Sequence, residues 1–311
     1  MNKKKLTETI KDLHTIKDIL RWTFSKFNTS DIYYGHGADN AWDEAVQLVL
    51  TSLCLPIDIP EKLLTSRITI TERRHIIKLV LRRIKEHIPS AYLTNRSWFC
   101  GYEFYVDERV LIPRSPIKEL INNYFIGIID YKPKSILDLC TGSGCIAISC
   151  GHKFPETELI DAVDISFDAL NVAEKNIINH NLDHLIVPIQ SDLFKNIPEI
   201  KYNLIITNPP YVNIENIERL PKEFHIEPKI ALVTECNGLK LVNRILANAS
   251  NFLTNNGILI CEVGDTMTYL IKNYPEIPFR WLNIKNGGNG IFTLTQQQLI
   301  KYHNYFNSYI D

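Results

Sequence analysis

The sequence lacks any apolar run of the roughly 18 to 20 residues that a membrane-spanning helix needs. It also lacks net charge: 34 basic residues face 35 acidic ones, a formal net of −1. A chain-wide attraction for nucleic acid is therefore not built in, although a local basic patch is compatible with that balance. There is no Cys-x-x-Cys pair of the kind that marks a zinc or redox site. The cysteines number seven, an odd count: Cys54, Cys100, Cys140, Cys145, Cys150, Cys236 and Cys261. They read as reduced, small apolar fillers, and no metal is expected. Met1 to Lys5 is basic, but Thr7 and Glu8 arrive before any apolar signal core, so the expected location is cytoplasmic. No internal repeat or low-complexity tract is present.

What is present is the composition of an ordinary globular protein, 45% apolar and 22% charged over 311 residues, enough for about two domains. Residues 1–92 read as a helical domain. Leu6, Ile10, Leu13, Ile16, Ile19 and Leu20 recur at steps of three and four, as do Ile77, Val80, Leu81, Ile84 and Ile88 after a cap-like Thr71-Glu72. A further helix is expected from Trp42 to Cys54. Residues 93–115 read as a hairpin linker turning at Gly101. Residues 116–311 alternate between helical patterns and short apolar runs at Ser135–Leu139, Leu159–Val163, Leu185–Ile189, Leu204–Ile206 and Ile258–Cys261. Such runs suit parallel strands buried on both faces, so this part is expected to be a doubly wound, Rossmann-like α/β sheet domain.

Polar residues stand where these runs end: Asp138, Asp164, Asp192, Asn208 and Glu262. Open parallel sheets bind ligands beyond the carboxyl ends of their strands, so the set maps a candidate site, although any one member alone could merely cap a helix. The first loop, Asp138-Leu139-Cys140-Thr141-Gly142-Ser143-Gly144, opens a helix whose unpaired N–H groups suit a carboxylate or phosphate. Asp164 follows Gly144 by 20 residues, the place where a carboxylate accepts from both ribose hydroxyls. Gly142-x-Gly144-x-x-Ala147 also fits a dinucleotide fingerprint, so the loop alone does not separate NAD from another ribose-bearing cofactor.

Asn208-Pro209-Pro210-Tyr211 separates them. Two prolines at the end of a buried strand cannot donate ladder bonds. Pro209 has a fixed φ and no N–H, which holds its carbonyl rigidly; Asn208 adds a side-chain carbonyl beside it. Two fixed acceptors suit an NH₂ group, and Tyr211 suits a flat amide or base. A planar amide or amine nitrogen is a poor nucleophile because its lone pair is delocalised. Hydrogen bonds from both its protons raise electron density on nitrogen and orient it for in-line attack. The expected electrophile is a methyl group on a sulfonium, whose charge disappears on transfer, so a dry crevice helps.

These residues resemble the class I S-adenosylmethionine-dependent methyltransferases that modify amino nitrogens, and within them the HemK-type protein-glutamine methyltransferases. The likeness covers nearly the whole chain. It includes Val110-Leu111-Ile112-Pro113-Arg114 and Glu262-Val263-Gly264. Ser115-Pro116-Ile117-Lys118-Glu119 departs from the release-factor enzymes. That departure is similar to the branch acting on the third large-subunit ribosomal protein, as are Tyr34-Gly35-His36-Gly37, Ala41-Trp42-Asp43-Glu44 and Trp98-Phe99-Cys100-Gly101. The resemblance implies S-adenosylmethionine as cofactor, with Asp138 among its binding residues, Thr141, Gly142 and Gly144 at its methionine end, Asp164 on the ribose, and Asp192 and Leu193 along the adenine. It implies that Asn208 and Pro209 hold the substrate amide, with Pro210 beside them and Tyr211 packed on it. The implied partner is that ribosomal protein, free or in an assembly intermediate. Cys140 stands where the wider family commonly has glycine, Leu193 where tryptophan sometimes occurs, and Asn203 where aspartate is frequent.

Other features carry less. Arg73, Arg74, Lys78, Arg82, Arg83 and Lys85 crowd the polar side of one helix. A contact with ribosomal RNA through Arg74, Lys78 and Arg82 is one reading; a solvated face is preferred. His36 and His225 lack partners at catalytic spacing, so turn or packing roles are preferred. Asn286-Gly287-Gly288-Asn289-Gly290 signals a late hairpin. Val212 to Gly238 is long and polar and is expected to be a lid. Three functions compete: protein-glutamine methylation, on this ribosomal protein or on a release factor; methylation of an exocyclic amine of adenine or guanine in RNA or DNA; and a non-catalytic assembly module.

Overall fold

A computed structural model of the chain describes residues 3–285 and 287–307, and these divide into two compact units. The first takes in residues up to Ser97, with Val106–Glu108 and Pro221–Ile226; the second takes in Trp98–Tyr105, Arg109–Leu220 and the chain from Glu227 onward. The expected linker is thus not a separate piece. Most of the hairpin counts with the sheet unit, and six residues from far along the chain count with the helices.

The helical unit is built from α1 (Lys3–Asp12), α2 (Ile16–Asn28), α3 (Ala41–Ser52), α4 (Ile70–Glu86) and α5 (Ser90–Thr94). The apolar stripe of residues 6–20 is split because Thr15 caps α2, exchanging bonds with Asp18 in a capping box. A second capping box, Thr69 with Glu72, starts α4 two residues before the expected Thr71. Each such cap is worth about 1 kcal/mol. Ile19, Phe27, Leu48, Val49, Ile76, Ile77 and Val80 are fully buried at the centre, at about 1.5–3 kcal/mol each.

The six basic residues of α4 do not form one solvated face. Arg73 and Arg83 are buried, at positions that continue the stripe of Ile76, Ile77 and Val80 by steps of three. Periodicity outranks residue type here, because a residue on the inward stripe must find its partners inside. Arg73 donates to the carbonyls of Ile68 (3.1 Å) and Ile10 (2.8 Å). Arg83 donates to Glu44 Oε1 (2.5 Å), Glu223 Oε1 (2.8 Å) and the Tyr33 carbonyl (2.7 Å). Glu223 is what draws Pro221–Ile226 into this unit. Arg74, Lys78 and Lys85 are exposed, and Arg82 pairs with Glu86 one turn on.

The second unit begins with the hairpin β1 (Arg96–Phe99) and β2 (Tyr102–Tyr105), whose first two residues belong to the helical unit. Cys100 (φ +53°) and Gly101 (φ +84°) turn it with two left-handed residues, as a two-residue hairpin loop requires. After α6 (Ile117–Asn122) come β3 (Ser135–Leu139), α7 (Cys145–Lys153), β4 (Leu159–Asp164), α8 (Phe167–Asn179), β5 (Ile186–Gln190) and β6 (Tyr202–Thr207). Then follow β7 (Val212–Asn213), α9 (Lys229–Leu232), β8 (Val233–Thr234), α10 (Lys240–Asn248), β9 (Leu253–Glu262), α11 (Met267–Asn273), β10 (Arg280–Trp281), β11 (Ile291–Thr295), α12 (Gln296–Lys301) and α13 (His303–Asn307).

The main sheet has the order β10-β11-β9-β6-β3-β4-β5. Its five predicted strands are parallel, as expected; β11 runs antiparallel to β9 and pairs with β10. β10 and β11 form the late hairpin; Asn286 of its turn lies outside the described residues. β3 has the next strand in sequence, β4, on one side and β6 on the other. The winding therefore reverses between β3 and β6, which opens a crevice at their carboxyl ends. Thr207 Oγ1 donates to the Leu139 carbonyl (2.9 Å) across that crevice floor. Among the described residues no helix is long and apolar enough to cross a membrane.

Candidate active site

A cavity of about 420 Å³ opens at this switch point, within the range of small-molecule sites. Of the predicted residues, Thr141, Gly142, Asp164, Asp192, Leu193, Asn208 and Pro210 line it. Asp138, Gly144, Pro209 and Tyr211 do not.

Asp138, near the end of β3, is fully buried. Its Oδ2 accepts from Thr141 Oγ1 (2.6 Å) and the Ala147 N–H (3.1 Å), which ties the loop to the first turn of α7. Burial pushes its carboxyl up to about 7. The loop itself alternates left-handed residues: Cys140 (φ +61°), Gly142 (φ +56°) and Gly144 (φ +79°). Cys140 thus adopts the conformation glycine would provide, and the loop keeps its path at the cost of some strain. Gly144 is needed for space as well, since a Cβ there would press within 3.3 Å of Ile148 Cδ1 and 3.4 Å of Ala173 Cβ.

Asp164, ending β4, accepts from the Gly142 N–H on Oδ2 and the Ser166 N–H on Oδ1, both at 2.9 Å. Burial raises its pKa against these bonds. A carboxylate has about four acceptor sites, so capacity remains toward the cavity. Asp192 is differently placed. Arg244 and Lys195 each donate to it at 2.8 Å and hold its carboxyl down to about 2. Leu193 (φ +53°) is buried in the sheet core.

Asn208 follows β6 directly. Its Oδ1 is buried and has no hydrogen-bond partner among the described residues. A buried acceptor left unmade costs about 1–3 kcal/mol, so it marks a place where a donor is due. Tyr211 Oη donates to Glu262 Oε1 (3.2 Å), at the end of β9, and Ser115 Oγ donates to Glu262 Oε2 (2.5 Å). Burial pushes Glu262 up to about 7 against these two hydroxyls.

Sequence reasoning missed Glu227, a buried acid that grips Arg114 of the Val110–Arg114 motif and the Ile112 N–H (3.0 Å). No local signal marks it. The segment from Val212 to Gly238 is not a featureless loop. β7 and β8 pair in parallel within it, and Ile214, Ile230 and Val233 form part of the cavity wall. His225 is exposed and His36 stacks edge-on against Phe224 at 4.6 Å; neither lines the cavity. Burial raises the thiols of Cys150 and Cys261 well above their usual range, which suits inert fillers.

A glycine loop under an acid-tipped second strand, facing a double-proline corner with an unspent acceptor, is the equipment of a methyltransferase, and the Methyltransferase small domain model matches residues 123–232. The likeness to curated proteins runs much further. Ribosomal protein uL3 glutamine methyltransferase of Francisella tularensis subsp. tularensis is 44% identical over 311 residues, covering 99% of this chain and 98% of its own. Its namesake from Neisseria meningitidis serogroup B is 44% identical over 295 residues, covering 94% and 97%. The chain belongs to the family of ribosomal protein uL3 glutamine methyltransferases.

Proposed function

We propose that this chain transfers a methyl group from S-adenosylmethionine to the side-chain amide nitrogen of a glutamine in ribosomal protein uL3. The observation that carries the reading is Asn208, a residue of the cavity wall whose Oδ1 is buried and unpartnered beside a proline that cannot donate. The relatives' names supply the acceptor protein.

The residues fit the methyl donor. A Cβ on Gly142 would meet no atom within 4 Å, so the loop leaves open space there for the methionine end beside Thr141. Asp164 retains acceptor capacity for the ribose. Leu193 offers an apolar edge to the adenine, while Asp192 stands already neutralised by Arg244 and Lys195. When bound, S-adenosylmethionine supplies a methyl group activated on a sulfonium. Asn208, on the cavity wall, would accept from one amide proton and orient the nitrogen; the resemblance gives the second proton to the Pro209 carbonyl, although Pro209 is not on the wall. As the N–C bond forms and the S–C bond breaks, one amide proton leaves to water. Val110, Leu111, Ile146 and Val163 line the cavity with apolar surface and exclude water. The helical unit, none of whose described residues lines the cavity, is assigned to recognition of the protein substrate.

The test is labelled-methyl transfer to purified uL3, to an assembly intermediate carrying it, to a release factor and to ribosomal RNA, followed by mass spectrometry of the modified residue. Methylglutamine in uL3 is expected. Label in a purine amine, or in the release factor alone, overturns the assignment.

A further inference from the structure

Tyr211 is gripped by groups that the transfer reaction leaves unassigned. Its ring lies against the backbone of Gly264, where a Cβ would come within 2.6 Å of Tyr211 Cε2. Its hydroxyl donates to Glu262 Oε1 at 3.2 Å. Glu262 is 3% exposed, and its second oxygen accepts from Ser115 Oγ at 2.5 Å. Ser115 Oγ in turn accepts the N–H of Ile117 (3.2 Å), the first residue of α6. An acid in so dry a place costs free energy that an apolar residue of the same size would not. The use of that cost follows from the chain between Tyr211 and Asn208, which is Pro209-Pro210. Two consecutive prolines lock two consecutive φ angles, so the link has little slack. A fixed Tyr211 ring fixes the corner, and with it the backbone from which the Asn208 side chain leaves.

We infer that Glu262 is a positioning residue of the transfer reaction: braced by Ser115, it holds the Tyr211 hydroxyl and, through the double proline, keeps Asn208 Oδ1 aimed at the cavity. This inference rests on the methyl-transfer reading and adds to it the part that sets the acceptors' geometry. Glu262 does not line the cavity and acts only through Tyr211.

The test uses the full chain with Tyr211→Phe, Glu262→Met, Glu262→Gln and the double variant Tyr211→Phe/Glu262→Met. Methyl-transfer kcat and KM, donor Kd by calorimetry and thermal stability are measured for each. Glu262→Met and Tyr211→Phe are expected to lower kcat about 10- to 100-fold, the scale of a misplacement near 1 Å. Donor Kd and acceptor KM stay within about threefold, while Glu262→Met melts somewhat lower than wild type because the Tyr211 and Ser115 hydroxyls lose their acceptor. Glu262→Gln keeps an oxygen for Tyr211 and recovers most of the kcat. The double variant is no slower than the worse single one, because both remove one hydrogen bond. Wild-type kcat in Glu262→Met, multiplying losses, or a kcat loss matched by equal losses of donor affinity and melting temperature overturns the inference.

Failure of the proposed function is visible separately. If the wild type labels RNA rather than uL3, the acceptor assignment falls and the same comparison runs on RNA. If it labels neither, a crystal structure of Glu262→Met decides: Tyr211 displaced from Gly264 with Asn208 turned supports the positioning role, and an unmoved corner refutes it.

Discussion

Arg114 and Glu227, 113 residues apart, close a two-pronged ion pair at the edge of the cavity, Nη1 to Oε1 at 2.6 Å and Nη2 to Oε2 at 2.7 Å. The Glu227 side chain is wholly buried and that of Arg114 is 22% exposed. Planar fork geometry of this kind is the strong form of the ion pair. It joins the Val110–Arg114 segment to the chain that leads from Glu227 into the cavity wall. Glu227→Ala is expected to cost about 3 kcal/mol, because it strands a largely buried guanidinium. Arg114→Met/Glu227→Leu costs distinctly less, since both charges leave together. Denaturant unfolding compares the two; a double variant as unstable as the single one removes the pair as the explanation.

Asn208→Ala removes the unpartnered acceptor and nothing that lines the donor end of the cavity. Loss of one preorganised hydrogen-bonding group at a reacting centre is worth about 100- to 1,000-fold in kcat. That loss is expected with donor affinity changed by less than about threefold, since Asn208 is assigned to the acceptor amide and not to the donor. Single-turnover methyl transfer and calorimetry read the two numbers. A variant with wild-type turnover contradicts the role given to Asn208.

Two carboxyls, the buried Asp138 and the partly exposed Asp192, make stability depend on pH with opposite signs. The pKa of Asp138 is raised to about 7 by burial, so its contribution is complete below about pH 4 and is lost as pH rises through 7. The pKa of Asp192 is lowered to about 2 by Arg244 and Lys195, so its contribution is present above about pH 4 and is lost as pH falls toward 2. Melting temperature measured against pH should therefore lose part of its neutral-side slope in Asp138→Asn. In Asp192→Asn it should lose part of its acid-side slope. Unchanged slopes mean that other groups carry the titration.

Cys140→Gly tests whether the loop needs the thiol. A non-glycine residue in the left-handed region costs about 1–2 kcal/mol, and glycine gives back roughly 0.5–1 kcal/mol of that through the unfolded chain. Stability is expected to stay within about 1 kcal/mol of wild type, with donor affinity intact. A collapse of donor binding would show that the side chain packs a surface the loop depends on.

Hydrogen exchange across residues 212–238, with and without donor and acceptor, examines the lid expected there. Protection is expected to rise at Ile214 and around Ile230–Val233, which form cavity wall, on binding. Unchanged protection throughout speaks against closure.

Much of the sheet was legible because fully buried parallel strands are apolar along their whole length; Ser135–Leu139 is β3 to the residue. The two-residue strands β7, β8 and β10 carry no such run, and β11 alternates too little to stand out beside its turn. The glycine loop, Asp164 and Asn208-Pro209-Pro210-Tyr211 were legible for a different reason. Their chemistry is local, set by backbone angles and by atoms that proline lacks. Asp138 shows the limit. Its type and place were readable, yet its carboxylate turns back to Thr141 and Ala147 rather than lining the cavity.

The sequence by itself determined the parallel sheet and the crevice at its strand ends, because those follow from periodicity and from φ restrictions acting over a few residues. Only the tertiary structure decided that Arg73 and Arg83 point inward, that Glu227 claims Arg114 and that Ser115, Glu262 and Tyr211 form one chain of hydrogen bonds. Each of these pairs a charge or hydroxyl with a partner brought close by chain folding. Dry surroundings then force the match, and no rule about neighbouring residues contains it.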